Sequence, residues 1–191
     1  MKILFLADLH DVNIDNLEKI NNLSYDACIL LGDIQKKGLD IIKTKINNNK
    51  LYGITGNHED LELLKRCGIT DISFDLINIG DLSFYGIPGS VRYKRGMYSM
   101  FTQDELAEKI KNSKACDILI SHESGYHYID TDMVHEGFIA IDEYIKQYQP
   151  KYNIFGHHHK QLYFKKHNTN CICIYQCSIL DTNTGELINI F

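Results

Sequence analysis

Two prolines, Pro88 and Pro150, are all the chain has in 191 residues. They are isolated, and no glycine-rich or low-complexity stretch joins them, so nothing marks a linker between two domains and residues 1–191 are expected to form one unit. Long apolar runs are also missing: none approaches the roughly 20 residues a membrane-spanning helix needs. The opening stretch Met1 to Asp8 is too short in its apolar part for a secretory signal, so a cytoplasmic protein is expected. Positive charge is not in excess, with 20 Lys and Arg against 25 Asp and Glu and a formal charge of −5. A general nucleic-acid coat needs a basic stripe, so stable nucleic-acid binding is not expected. The six cysteines at 28, 67, 116, 171, 173 and 177 form no CxxC pair. They read as buried free thiols rather than zinc ligands, with 171, 173 and 177 on one face of a strand.

What the chain does have is alternation. Short apolar runs over residues 2–6, 25–31 and 51–54 read as buried parallel strands, separated by helical spacing near 14–21 and 38–48 and followed by a helix near 60–67. Asn13 or Asp15 is available to cap the first helix. Residues 76–79 and 82–87 flank Gly80-Asp81 as a hairpin. Helices near 103–112 and 137–149 alternate with strands at 117–121 and 152–155, and the end, at 161–166, 171–177 and 186–191, is rich in strands. This pattern predicts an α/β fold of two mixed sheets packed face to face with helices outside.

The polar residues suited to metals stand at the ends of these apolar runs: Asp8, His10, Asp33, Asn57, His122, His157 and His159. In α/β sheets ligands collect beyond the carboxyl ends of strands, so positions spread over 150 residues can converge. Imidazole and carboxylate donors without thiolate suit Mn, Fe, Zn or Ni. Seven donors exceed the needs of one tetrahedral ion, whereas two divalent ions sharing an aspartate use them all. Gly32, Gly56 and Gly156 precede three of these residues and are expected to allow sharp turns there.

Asp8-Leu9-His10, Gly32-Asp33, Gly56-Asn57-His58-Glu59, His122 and Gly156-His157-His158-His159 occur in the order found in the calcineurin-like metallophosphoesterases, which the sequence resembles over nearly its whole length. Each block alone is weak; five in order, each after a predicted strand, are strong. The resemblance implies a four-layer α/β/β/α sandwich and a two-metal centre. Asp8, His10 and His159 would hold one ion, Asn57, His122 and His157 the other, and Asp33 would bridge. Water activated between the cations would attack phosphorus in line, with His58 acting on the leaving-group oxygen. Asp60, just after His58, could orient that imidazole.

Beside these, Ser121-His122-Glu123-Ser124-Gly125 departs from many relatives around its histidine, and His158 is expected to point away from the metals. His135, before a predicted helix, either lines the substrate pocket or is a loop residue. Arg92, with Tyr93, Lys94, Arg95 and Tyr98, either receives a phosphate and stacks a base or belongs to a solvated loop. His127 and His167 read as surface residues. The resulting expectation is a phosphoesterase for a small phosphate ester or nucleotide-like substrate, with a diester favoured over a monoester. A non-catalytic scaffold of the same fold and a metal-dependent nuclease are the rivals. Scaffolds typically lose the catalytic histidine, and His58 is present. A nuclease needs a nucleic-acid-binding region that neither length nor charge supplies.

Overall fold

The computed structural model describes residues 1–10, 14–46, 50–96 and 99–191, with the side chains of Ile14 and Asp15 excepted. The proposed cap residues Asn13 and Asp15 and the loop residue Tyr98 therefore lie outside what is described. Two six-stranded mixed sheets stack face to face. In the first, β1 (Lys2–Ala7), β2 (Ala27–Leu30), β3 (Leu51–Gly53) and β4 (Thr70–Asp71) run parallel. Strands β13 (Gln176–Asp181) and β14 (Leu187–Asn189) close its other side, β13 antiparallel to β1. In the second, β6 (Leu82–Ile87), β9 (Ile118–Ser121), β10 (Tyr152–Phe155) and β12 (Thr169–Cys173) are parallel. Its antiparallel edges are β5 (Leu76–Ile79) and β11 (Leu162–Lys166). β7 (Ser90–Val91) and β8 (Met100–Phe101) form a separate parallel pair.

Period-two burial builds the four layers. In β1, Ile3, Phe5 and Ala7 enter the core between the sheets, where they meet Ile29, Ile118, Ile120, Ile154 and Ile172. Leu4 and Leu6 point the other way, under α1 (Ile14–Glu18) and α2 (Gln35–Lys45), against Leu17, Leu39 and Ile42. Both faces of these strands are dry, which is why their sequences read as continuous apolar runs rather than alternating ones. On the far side, Tyr85, Ile87 and Leu119 pack on Leu106 and Ile110 of α4 (Gln103–Ile110) and on Ile141 and Ile145 of α5 (Ile139–Tyr148). The short α3 (Leu63–Arg66) follows β3. Helix α4 starts on a capping box, in which Thr102 and Glu105 each accept from the other's backbone N–H.

The fold departs from sequence expectation in particular places. The run 171–177 is not one strand: Cys171 and Cys173 lie on β12 in the second sheet, packed on Phe155, whereas Cys177 lies on β13 in the first and packs beneath its helices. The chain changes sheet between them, and Gln176 takes up the corner with φ 64°. Cys171 and Cys173 therefore share a face, and Cys177 does not lie on it. All six cysteines are buried and free, as expected. The second helix starts at Gln35, earlier than its apolar spacing implies, for a reason given below. The glycine reading also needs correction. Gly32 is the sharp turn, with φ 97° and no room for a Cβ, which would fall 2.8 Å from His122 Nδ1 and closer still to Gly56. Gly56 and Gly156 do not adopt a left-handed φ. At Gly56 the requirement is space, because a Cβ there would overlap the Asp33 carboxylate.

Candidate metal and phosphoester site

The parallel strands of both sheets end at the same edge, and their loops supply the site. Asp8 follows β1, Asp33 follows β2, Asn57 and His58 follow β3, His122 follows β9, and His157 and His159 follow β10. Asp8 (φ 54°), Asp33 (φ 56°), His157 (φ 67°) and His159 (φ 50°) all have left-handed backbones. Each such non-glycine residue costs of order 1–2 kcal/mol, and strain of this kind persists where surrounding structure over-determines it. Backbone ties do so here: Asp8 N–H donates to Gly32 O at 3.1 Å, Gly156 N–H to His122 O at 3.1 Å, and His157 N–H to Asp8 Oδ2 at 2.9 Å.

Three sets of ligand atoms come within metal-binding reach of one another: Asp8 with His10 and His159, Asp33 with His122 and His157, and Asp33 with His10 and His58. Asp33 is the common member of the last two. Its Oδ2 lies 3.5 Å from His122 Nε2, 3.6 Å from His10 Nε2 and 3.9 Å from His58 Nε2. Its Oδ1 accepts the His58 backbone N–H at 2.9 Å, which fixes the carboxylate's direction.

Two observations show that these residues fit cations. Asp8 Oδ1 is buried and has no hydrogen-bond partner among the described residues, although it faces His159 Nε2 at 3.7 Å. An unpaired buried carboxylate oxygen is expensive unless a cation meets it. The second observation concerns His122. Its Nδ1 must donate to Leu31 O at 2.8 Å, because a carbonyl only accepts, so Nε2 presents a lone pair in the neutral ring. That lone pair faces Asn57 Oδ1 at 2.9 Å and Asp33 Oδ2 at 3.5 Å. Three acceptors converging on one point call for a positive centre. Asn57 is turned this way by its own amide, which donates to Tyr93 Oη at 3.1 Å. The same logic applies to His157, whose Nε2 donates to Val134 O at 2.9 Å and leaves Nδ1 free as a ligand atom.

The electrostatics agree. Burial raises the Asp8 carboxyl to about 7, against the lowering by His122. Burial pushes Asp33 up too, but His122 and His58 overcome it and hold the group below the usual carboxylate range. Burial would depress His122, yet Asp33, Asp8 and the Leu31 carbonyl lift it to about 10, so without metal a proton sits among these acceptors. Burial lowers His157 to about 4, only partly offset by Glu123. His58 is likewise lowered by burial, with Lys94 and His10 opposing the pull of Asp33.

His58 reaches solvent, with its side chain 46% exposed, and its ring meets His10 edge-on at 5.3 Å. Asp60 does not orient it. That carboxylate is clasped by Arg66 at 2.8 and 2.6 Å and accepts the Glu62 N–H, because a guanidinium six residues on offers a bidentate partner. Asp33 and His10 stand beside His58 instead. Arg92 is likewise drawn away. Its fork spans Glu105 Oε1 and Oε2 at 3.1 and 2.7 Å and Met100 O at 3.1 Å, facing a groove along α4. The same loop does reach the site through Tyr93 on Asn57 and Lys94 near His58. His135 comes close: its ring centroid is 4.9 Å from that of His157, and its Nδ1 pairs with the Asp132 carboxylate at 3.0 Å. His158 points away from the ligand cluster as expected, into a buried network with Glu123 Oε1 at 3.1 Å, Ser124 Oγ at 3.1 Å and Asp130 Oδ2 at 3.2 Å. His127 and His167 are exposed.

Two supporting carboxylates went unread in the sequence. Glu123, fully buried, places Oε2 3.3 Å from His157 Nε2, on the far side from Nδ1, the arrangement in which carboxylates commonly support histidines at metal sites. Glu59 accepts four backbone N–H groups, those of Asp33, Ile34, Gln35 and Gly56, at 2.9–3.1 Å. It ties the Asp33 loop to the Asn57 loop and caps the start of α2, which is why that helix begins early.

Comparison with known proteins agrees with this geometry. A phosphopantetheinyl hydrolase from Mycobacterium tuberculosis superposes with a TM-score of 0.63 at 11% identity, covering 92% of this chain and 89% of that one. Vps29 of Entamoeba histolytica, in a complex with Zn²⁺, gives 0.57 at 14%, covering 98% and 89%. A novel archaeal phosphodiesterase gives 0.52 at 18%, covering 98% of each chain. At such identities these likenesses speak to the fold, the α/β/β/α sandwich. A search of curated proteins found no match. Among the described residues, no helix is long and apolar enough to cross a membrane. The sequence itself matches the family description "Calcineurin-like phosphoesterase" over residues 1–161, and the chain belongs to that family.

Proposed function

We propose that residues 1–191 form one domain that hydrolyses phosphodiester bonds of small, nucleotide-like substrates with two divalent ions, of the Mn, Fe, Zn or Ni kind. The observation that carries this reading is the position of Asp33, whose single oxygen Oδ2 lies between His10 and His122, members of the two ligand clusters. Asp8, His10 and His159 would hold one ion, and Asn57, His122 and His157 the other, with Asp33 shared. Bound there, such ions lower the pKa of water and neutralise phosphoryl oxygens. The chain's own residues do the rest. The Leu31 and Val134 carbonyls fix the tautomers of His122 and His157 so that a lone pair faces the cluster. Tyr93 turns Asn57, and Asp33 fixes the His58 loop through its N–H. His58, exposed and outside the two proposed ligand sets, is the group able to give a hydrogen bond or proton to the departing oxygen. His135, held by Asp132, borders the same opening and would contact substrate. Arg92 is left out of this role by its pairing with Glu105.

A scaffold without turnover is disfavoured because His58 and all seven ligand-type residues stand together. The excess of acidic over basic residues, 25 against 20, does not favour stable nucleic-acid binding. Six free, buried thiols suit a reducing cytoplasm. The test is hydrolysis of bis-p-nitrophenyl phosphate beside p-nitrophenyl phosphate by the apo-protein reloaded with Mn, Ni, Zn or Mg. Diester cleavage without monoester cleavage is expected. No turnover with any metal would move the protein to the scaffold class.

A further inference from the structure

A groove of about 830 Å³ opens beside His58, within the roughly 300–1,000 Å³ range of small-molecule sites. Its walls carry Lys36, Arg66 and Arg95. None of the seven ligand-type residues lines it; His58 is the point where the groove meets the site. If His58 faces the departing oxygen, the rest of the leaving group extends into this groove.

The charge of the groove is unlike that of the chain as a whole. Two acidic residues line it against three basic ones, and both carboxylates are already committed to partners. Glu59 turns its carboxylate inward onto four backbone N–H groups, and Asp60 is neutralised by the Arg66 fork. Arg95 has no ion-pair partner among the described residues. Lys36 pairs only with Asp40, both side chains more than half exposed, a contact of little worth that an incoming anion can displace. Lys94, next in the loop, adds positive charge on the His58 side. The wall that would receive the leaving group is therefore positive in a chain of net charge −5.

We propose that this groove binds a leaving group that carries its own phosphate, so that the substrate is a diphosphate-linked diester rather than a diester with an uncharged alcohol. This rests on the phosphodiesterase reading above and names its substrate class. In the reaction, a water oxygen bonds to one phosphorus and the bond from that phosphorus to the bridging oxygen breaks. The electron pair stays on the departing phosphate, and the water's proton passes to solvent. Lys36 and Arg95 hold the departing phosphate, while the attacked phosphoryl group stays on the Asp33 side of His58.

A matched pair tests this. The p-nitrophenyl ester of thymidine 5′-monophosphate and thymidine 5′-diphosphoglucose share the thymidylyl group and differ in the leaving group. Wild type is expected to favour the diphosphate in kcat/KM. Arg95→Ala should lower the diphosphate-to-ester ratio by about tenfold, chiefly through KM, as the loss of one charged hydrogen-bond donor implies. Lys36→Ala in addition should lower it further, and Arg95→Lys should retain most of it because a point charge suffices. A ratio that does not move in the double variant, or cleavage of the ester alone by wild type, overturns the groove assignment and leaves diester hydrolysis standing. Cleavage of neither substrate with any of Mn, Ni, Zn or Mg overturns the hydrolytic reading together with it.

Discussion

Glu59→Gln isolates the part of the site that no ligand argument reveals. Oε1 of Glu59 accepts from Ile34 and Gln35 at 2.9 and 3.0 Å, and Oε2 from Asp33 and Gly56 at 3.1 and 2.9 Å. A glutamine keeps the shape but can offer oxygen to only one of these pairs. Its NH₂ then faces the other two N–H groups, donor against donor, in a buried place. Leaving a buried donor without an acceptor costs about 1–3 kcal/mol, so two such losses predict roughly 2–6 kcal/mol of destabilisation. That is a large part of the 5–15 kcal/mol holding a typical domain together. Because the lost bonds join the Asp33 loop to the Gly56-Asn57 loop, metal affinity should fall with stability. Urea unfolding of apo wild type and variant measures the first quantity, and calorimetric metal titration of folded protein the second. A change below about 1 kcal/mol with unaltered metal binding would refute the argument that Glu59 sets the geometry of these loops.

Other substitutions probe separate links. His58→Ala should lower kcat for diesters by about 100- to 10,000-fold while metal stoichiometry stays that of wild type; equal losses in metal content would contradict a leaving-group role. Gly56→Ala should weaken metal binding sharply, because its methyl meets the Asp33 carboxylate, and an equilibrium metal titration reads this directly. Thr102→Ala removes one half of the capping box and should cost about 1 kcal/mol in urea unfolding with no effect on turnover. Chelation by EDTA should abolish activity reversibly, with recovery on adding Mn; activity that survives chelation would exclude a metal-assisted reaction.

How far the sequence could be read follows from the range of the interactions involved. Asp8, Asp33, Asn57, His122 and His157 were readable because each stands just beyond an apolar strand, and parallel strands bring such positions to one edge. Glu59 stands within the Gly56-Asn57-His58-Glu59 motif, but its role is not visible there, since its partners include N–H groups up to 26 residues away. The same contact explains the early start of α2, a helix whose cap comes from another loop. Nearness to His58 suggests Asp60, and a basic, aromatic loop suggests Arg92 as one of two alternatives, but each side chain has a better partner, Arg66 six residues away and Glu105 thirteen. Local alternation likewise could not show that Cys173 and Cys177 belong to different sheets, because period-two patterning specifies a face and not the sheet that owns it.

Asp33 is the residue on which the proposed two-metal centre turns. Anomalous diffraction from crystals soaked in Mn²⁺ tests it most directly. Two peaks per chain are expected, one among Asp8, His10 and His159 and one among Asn57, His122 and His157, with Asp33 touching both. A single peak, or two peaks of which Asp33 touches only one, would contradict it.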